Sequence, residues 1–312
     1  MEFVKQYGLG HKVQRLYIHW DITTKCEYKC SYCYARKEYK DKWNFPGIWS
    51  KQQNVINELS KSTLPIFLGL LGGEPTSNHK YFEILNQLYP IIKSNPESRL
   101  YITTNGFKSN DIYDNHPIAE SNQFYFLFSL HPEYVNFENY EHFRSNIELL
   151  YNKGYRIKVN LMLHPSKQYW EFLQYAYNDL RKYFQFHIEI HPHYIYSDAH
   201  NAVKYSEDFY EYFREMMLLK KEEFVFETDK NIYHYNDHNI FENKFNQFKD
   251  WNCWNNNYEI NIDCEVNQFC FDSKIPIPVD YFKNISEIKS TKCPHKFCSC
   301  DGLLKIKKEK YE

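Results

Sequence analysis

The stretch TTKCEYKCSYCYAR, residues 23–36, places three cysteines within eight positions, at Cys26, Cys30 and Cys33. It continues LYIHWDIT (from Leu16), a short β-branched and aromatic run that reads as a strand. A C-x3-C-x2-C run just past a strand end can bring its thiolates onto one soft metal centre. A structural zinc site wants four ligands, usually as two pairs, and the local sequence has no fourth Cys or His. Three thiolates on a [4Fe–4S] cube would leave one iron open to a small molecule. The spacing favours iron–sulfur and leaves zinc as the alternative.

Outward from this motif, strand-like and helix-like segments alternate as far as Tyr194. The further strand candidates are LPIFLGLL (from Leu64), RLYITTNG (from Arg99), FYFLFSL (from Phe124), RIKVNLML (from Arg156) and FHIEIH (from Phe186). Between them YFEILNQLYPIIKS, YEHFRSNIELLYNKG and YWEFLQYAYNDLRKYF carry apolar residues at helical spacing, the second ending at Gly154 as a C-cap. Such βα repetition predicts an α/β fold with a parallel sheet and functional loops at the strand C-termini. Six units are too few to close an eight-stranded barrel, so the expected core is a partial (β/α)6 TIM-like barrel.

Composition agrees with a folded chain of 312 residues, 43% hydrophobic and 25% charged. A net charge of −2 offers nothing that would attract nucleic acid or an acidic lipid surface. No apolar run reaches the roughly 18 residues of a membrane span, and the N-terminal segment lacks a signal-peptide core. The expectation is a cytoplasmic protein with reduced thiols. Nine cysteines, an odd number, suit metal or cofactor ligation better than a disulfide framework.

A second motif ends the second strand. LGLLGGEPTSN puts Gly72, Gly73, Glu74 and Pro75 one βα unit after the cysteines, at the same sheet edge. The glycines would let backbone approach a ligand closely, and Glu74 offers a carboxylate to an ammonium.

With both motifs in place, residues 14–195 resemble the radical S-adenosylmethionine (SAM) superfamily, which carries CxxxCxxC after its first strand and a GGE-type motif after its second. The resemblance implies that Cys26, Cys30 and Cys33 hold a [4Fe–4S] cluster whose open iron chelates SAM. Gly72, Gly73, Glu74 and Pro75 would then meet the SAM ammonium, and Tyr32 would flank the adenine. Thr104 and Asn105, followed by Gly106, match a third-strand motif of the family. Ser129 and His131 end the fourth strand, where polar contacts to the SAM ribose or carboxylate are expected, and Asn160 lies on the fifth. Tyr28 and Tyr34 have no assignable role. The implied chemistry is reductive cleavage of SAM to a 5′-deoxyadenosyl radical that takes hydrogen from an unactivated C–H bond, assisted by an external reductant such as a flavodoxin or ferredoxin.

Beyond Tyr194 the rhythm breaks. EDFYEYFREMMLLKKEE reads as helical, and an Asn-rich region without alternation follows. The six remaining cysteines, Cys253, Cys264, Cys270, Cys293, Cys298 and Cys300, all lie beyond Asp250. The expected division is a barrel core over 1–195, a connecting helical segment over 196–249 and a small Cys-rich extension over 250–312. A zinc ribbon is one reading of the extension. It also resembles the auxiliary-cluster extensions called SPASM or twitch domains, although the Gly of their opening hairpin is replaced around Cys264-Glu265. That likeness implies one auxiliary [4Fe–4S] cluster, held by Cys253, Cys270 and two of Cys293, Cys298 and Cys300, with Cys264 a bystander.

Two substrate classes fit. One is a peptide or protein side chain that is oxidised, crosslinked or epimerised. The other is a sugar or similar metabolite that is dehydrogenated or epimerised, and the short segment before the first strand, with no leader-peptide recognition domain, suits it. His187, Glu189, His191 and His193 in HIEIHPHY could supply a base or substrate contacts in either case. A non-catalytic zinc-binding protein is the third alternative.

Overall fold

Hydrogen bonding in the parallel direction joins every strand of the first six βα units to its successor. The computed structural model describes residues 3–8, 14–33, 35–36, 39–42, 44–119, 121–185, 187–195, 203–218, 224–235, 240, 243–270, 273–293, 298 and 306–310. A short β1 (Lys5–Gly8) precedes β2 (Leu16–Thr23), α1 (Trp49–Leu59), β3 (Ile66–Gly72), α2 (Tyr81–Lys93), β4 (Arg99–Thr104) and α3 (Asn110–Asp114). Then come β5 (Phe124–Leu130), α4 (Tyr140–Asn152), β6 (Arg156–Leu163), α5 (Trp170–Tyr183) and β7 (Glu189–Tyr194). The chain is mixed α/β, with β2 to β7 in sequential order as a partial barrel.

The last barrel strand begins three residues later than FHIEIH suggests, because its register is set by the pairs Lys158↔Glu189 and Asn160↔His191. Helix α5 ends before it, and Gln185 turns the chain at φ +47. The stretch read as one helix after Ser206 is two short ones, α6 (Glu207–Tyr212) and α7 (Arg214–Leu218), while 219–223 lie outside the described residues.

Alternation along the strands separates two faces. Leu16, Ile18, Trp20 and Ile22 are fully buried, as are Val159, Leu161 and Leu163 on β6, against α4 and α5. Burying each such side chain contributes about 1.5–3 kcal/mol. The opposite face carries half-buried Tyr17, Phe67 and Tyr125 with Tyr101, whose rings touch in sequence across β2 to β5 at 5.2, 5.5 and 5.4 Å. Gly69 leaves room for this ladder, since a Cβ there would lie 2.2 Å from Tyr101 Cζ.

The C-terminal half builds β8 (Phe224–Glu227), β9 (Ile232–Tyr235), β10 (Asn252–Cys253), β11 (Asn257–Ile260), β12 (Val266–Cys270), β13 (Ser273–Ile277), α8 (Tyr281–Asn284), β14 (Thr291–Lys292) and β15 (Lys308–Glu309). Its sheets cut across the segments expected from sequence. Strand β11 pairs parallel with β2, and with β12 and β13 it extends the barrel sheet to nine strands. The other sheet, β14-β10-β15-β1-β8-β9, takes its fourth strand from the N-terminal segment. Phe3, Phe224, Phe226, Ile240, Phe248 and Ile306 make its small core together with Cys253, Cys293 and Cys298.

Candidate cluster and cofactor site

The loop bearing Cys26, Cys30 and Cys33 leaves β2 at the C-terminal edge of the sheet, and the next three strand-end loops grip it. From β3, Gly73 N donates to Thr23 O at 2.7 Å and Glu74 N to Lys25 O at 2.8 Å. Also on this side, Ser77 Oγ donates to both oxygens of Glu27, at 2.8 and 2.9 Å. From β4, Lys108 pairs with Glu27, and Asn105 Nδ2 lies 3.6 Å from Cys26 Sγ. From β5, Tyr134 Oη accepts from Lys29 N at 2.7 Å, and its ring stacks on Tyr28 at 4.3 Å. Glu133 Oε2 accepts from Ser31 N at 2.8 Å, and its Oε1 from the Ser31 hydroxyl. His131 Nδ1 stands 2.9 Å from the Tyr32 hydroxyl and 3.5 Å from Cys30 Sγ. Tyr28 thus has a structural task, whereas Tyr34 lies outside the described residues.

The two glycines serve this clamp. Gly72 adopts φ +120, a region that favours glycine, and a Cβ there would sit 2.0 Å from Thr23 O. A Cβ on Gly73 would sit 2.5 Å from Lys25 O. What they bring close is the backbone that launches the cysteine loop.

Glu74 is fully buried and organises the turn. Its Oε1 accepts from Thr76 N at 3.1 Å, Thr76 Oγ1 at 2.6 Å and Thr104 Oγ1 at 2.9 Å, while Oε2 accepts from Asn105 N at 2.7 Å. Pro75 starts the buried single turn that this carboxylate caps. Burial raises the Glu74 pKa, and the donors from Asn105, Thr76 and Thr104 oppose that rise. Most acceptor capacity is already used, with a lone pair of Oε2 remaining.

On the open face of the barrel, register places Ser129, Asn160 and His191 in one row across β5, β6 and β7. His191 Nε2 lies 3.4 Å from Glu189 Oε2, and this hydrogen bond draws the Glu189 carboxyl down to about 2. His193 sits one row on, opposite Met162. His187 stands apart, 3.1 Å from the Tyr151 hydroxyl. Burial lowers the His131 pKa to about 4, so the ring is neutral at pH 7.

The second cysteine group converges as well. Cys253, Cys293 and Cys298 are buried in one small core. Burial pushes the Cys270 thiol up to about 12, and the charges of Cys253, Cys293 and Cys298 push the same way. Cys300 lies outside the described residues. Cys264 is elsewhere, in the hairpin between β11 and β12 beside Trp20 and Asp263. Its φ is +64, in the left-handed region that favours glycine.

The donor chemistry fits a cluster. Burial, with Glu74 adding to it, pushes the Cys26 thiol up to about 12, and burial raises Cys30 further. A bound metal would displace the protons that burial holds on these thiols, since the thiolate is the ligand. Among the described residues no group of three or more His, Cys, Asp or Glu side chains is placed to hold a single metal ion. Among those residues no helix is long and apolar enough to cross a membrane.

Sequence reasoning missed Glu27, Glu133 and Tyr134, whose partners in the cysteine loop or beside it lie 50 to 105 positions away. The local signal was present in the last two, as the HPEY run after β5.

No curated protein matches the chain. A structure of native anSMEcpe with bound AdoMet is 14% identical, with a TM-score of 0.53 over 87% of this chain and 79% of that one. Native anSMEcpe with bound AdoMet and the Cp18Cys peptide is also 14% identical, with a TM-score of 0.52 over 82% and 74%. Streptococcus suis SuiB bound to the precursor peptide SuiA is 12% identical over 89% and 63%, with a TM-score of 0.43. At these identities the anSMEcpe structures speak for the fold alone. The family model of the radical SAM superfamily matches residues 20–176, half of the chain, and spans both motifs. The chain belongs to the radical SAM superfamily of enzymes, whose cofactors are a [4Fe–4S] cluster and SAM.

Proposed function

We propose that this enzyme abstracts hydrogen from a C–H bond of a peptide or protein side chain and so oxidises, crosslinks or epimerises that residue. The observation that carries the reading is the grip of three successive strand-end loops on the loop of Cys26, Cys30 and Cys33, next to the polar row Ser129, Asn160 and His191. When bound, the cofactors supply reductive cleavage of SAM to methionine and a 5′-deoxyadenosyl radical, and a second cluster supplies a place for an electron.

The chain's own residues divide the remaining work. Cys26, Cys30 and Cys33 hold the first cluster. Glu74 keeps Thr104 and Asn105 in place, and its free lone pair with the Gly72-Gly73-Glu74-Pro75 turn meets the SAM ammonium. Tyr32 borders the adenine, while His131 fixes the Tyr32 hydroxyl and with Ser129 offers polar contacts to SAM. Asn160 and His191 orient the substrate, and His191, steadied by Glu189, takes a proton when the product requires its loss. The Tyr17, Phe67, Tyr101 and Tyr125 ladder keeps water from the open face.

We further propose that Cys253, Cys270, Cys293 and Cys298 hold one auxiliary [4Fe–4S] cluster, in a unit that includes β1. Four cysteines leave no open iron, which suits electron transfer to or from a flavodoxin- or ferredoxin-like reductant. The peptide class draws support from anSMEcpe, a protein of similar fold whose structure carries a peptide. The test is anaerobic turnover with deuterated peptides and, in parallel, deuterated sugars. Deuterium entering 5′-deoxyadenosine from a peptide is the expected result, and transfer from sugars alone would replace this substrate class.

A further inference from the structure

Full burial is rare for a lysine, and Lys308 is 1% exposed. It sits on β15 directly opposite Cys253 of β10 on one side and Gln6 of β1 on the other. Residues directly opposite in an antiparallel pair project from the same face, with Cβ atoms about 4.5–5.5 Å apart. Cys253, Lys308 and Gln6 therefore form one row on one face of the small sheet. The row continues into Phe226, opposite Gln6, which belongs to the same buried core as Cys253, Cys293 and Cys298.

The ammonium is held in place by groups of the sheet. Its Nζ donates to Ile306 O at 3.0 Å and Gln6 Oε1 at 3.3 Å, and lies 5.0 Å from the Phe248 ring centroid. Gln6 is itself fully buried. A buried charge is less screened than one at the surface, so the field of this ammonium acts strongly on the groups beside it. Four cysteine thiolates around a [4Fe–4S] core give a net negative group, and its potential follows its charge, hydrogen bonds and exposure.

We infer that Lys308, oriented by Gln6, is the built-in counter-charge of the second cysteine site and sets the reduction potential of the cluster that Cys253, Cys270, Cys293 and Cys298 hold. The inference rests on the auxiliary-cluster reading above. Uptake of one electron makes the group one unit more negative, and a fixed positive charge beside it favours that state. Lys308 is a positioning residue of the electrostatic kind: it keeps the cluster easier to reduce than four thiolates alone would.

The test uses full-length protein carrying C26A, C30A and C33A, so that the second site alone holds iron. Iron and sulfide are counted, and the midpoint potential is read by dithionite titration followed by electron paramagnetic resonance. K308M should retain the cluster with a lower potential, the reduced fraction falling at least tenfold at fixed ambient potential, a shift of about 59 mV or more. K308R should stay near the parent, and Q6L should shift in the same direction as K308M by less. Iron retained in K308R but lost in K308M would also support a role for the charge. An intact cluster in K308M at the parent potential would overturn the inference, as would equal shifts or equal iron loss in K308M and K308R. An iron-free parent would instead overturn the auxiliary-cluster reading, and the role of Lys308 with it.

Discussion

Glu133 holds Ser31 by two hydrogen bonds, one from the backbone N–H at 2.8 Å and one from the hydroxyl. Ser31 lies between Cys30 and Cys33, so the β5 loop fixes the middle of the cysteine run from 102 positions away. Hydrogen bonds to a charged acceptor contribute about 1.5–3 kcal/mol. E133A should therefore release iron to a chelator about tenfold faster or more, as 1.36 kcal/mol is a factor of ten. E133Q, which keeps one acceptor oxygen, should fall between. Equal iron-release rates in E133A and wild type would remove Glu133 from the clamp.

Gly72 should tolerate no side chain. Its φ is +120, and a Cβ added there would meet the Thr23 carbonyl oxygen at 2.0 Å, forcing β3 away from the start of the cysteine loop. Backbone strain alone costs about 1–3 kcal/mol. G72A should lower the urea midpoint and impair iron loading. Wild-type values for both would contradict the close packing.

Stability should decline in mild acid through His116. This residue is 2% exposed, with Nε2 3.0 Å from the Tyr81 hydroxyl, and burial, aided by Lys153, lowers its pKa to about 3. The folded value lies below the unfolded value near 6.5, so the unfolded chain takes up the proton first. Stability from a neutral His116 is full above about pH 6.5 and falls by about 1.4 kcal/mol per unit below it. Urea midpoints between pH 7.5 and 5 should show this slope in wild type and a shallower one in H116Q. Parallel profiles would assign the acid sensitivity to other groups.

Cys264 should be dispensable for iron. It lies in the β11–β12 turn beside Trp20 and Asp263, away from the group around Cys270. C264S should retain the wild-type iron content, while C270S should lose about four irons. Iron loss in C264S would place a second auxiliary cluster in the extension.

The barrel was legible because its strands are six to eight residues long, with clean alternation in β5 and β6. The bounds read from sequence match β2, β5 and β6 at both ends. The small sheet was not legible, since its strands run from two to four residues and carry no measurable period. Nothing local in KQYG shows that β1 will pair with β8 and β15. The cysteines were visible as a spacing. Lys308 was not, because its meaning comes from a cross-strand neighbour 55 positions away. That the glycines of GGEP also admit the backbone of Thr23–Lys25 shows only in the fold, because the contact spans two strands.

The central claim is that the clamped loop of Cys26, Cys30 and Cys33 carries SAM cleavage. Its most direct test is 5′-deoxyadenosine formation by anaerobically purified protein with SAM and dithionite, compared between wild type and C30A. Wild type should form the product with about eight irons per chain, and C30A should form none while keeping the iron of the second site. Product formation by C30A at the wild-type rate would contradict the account.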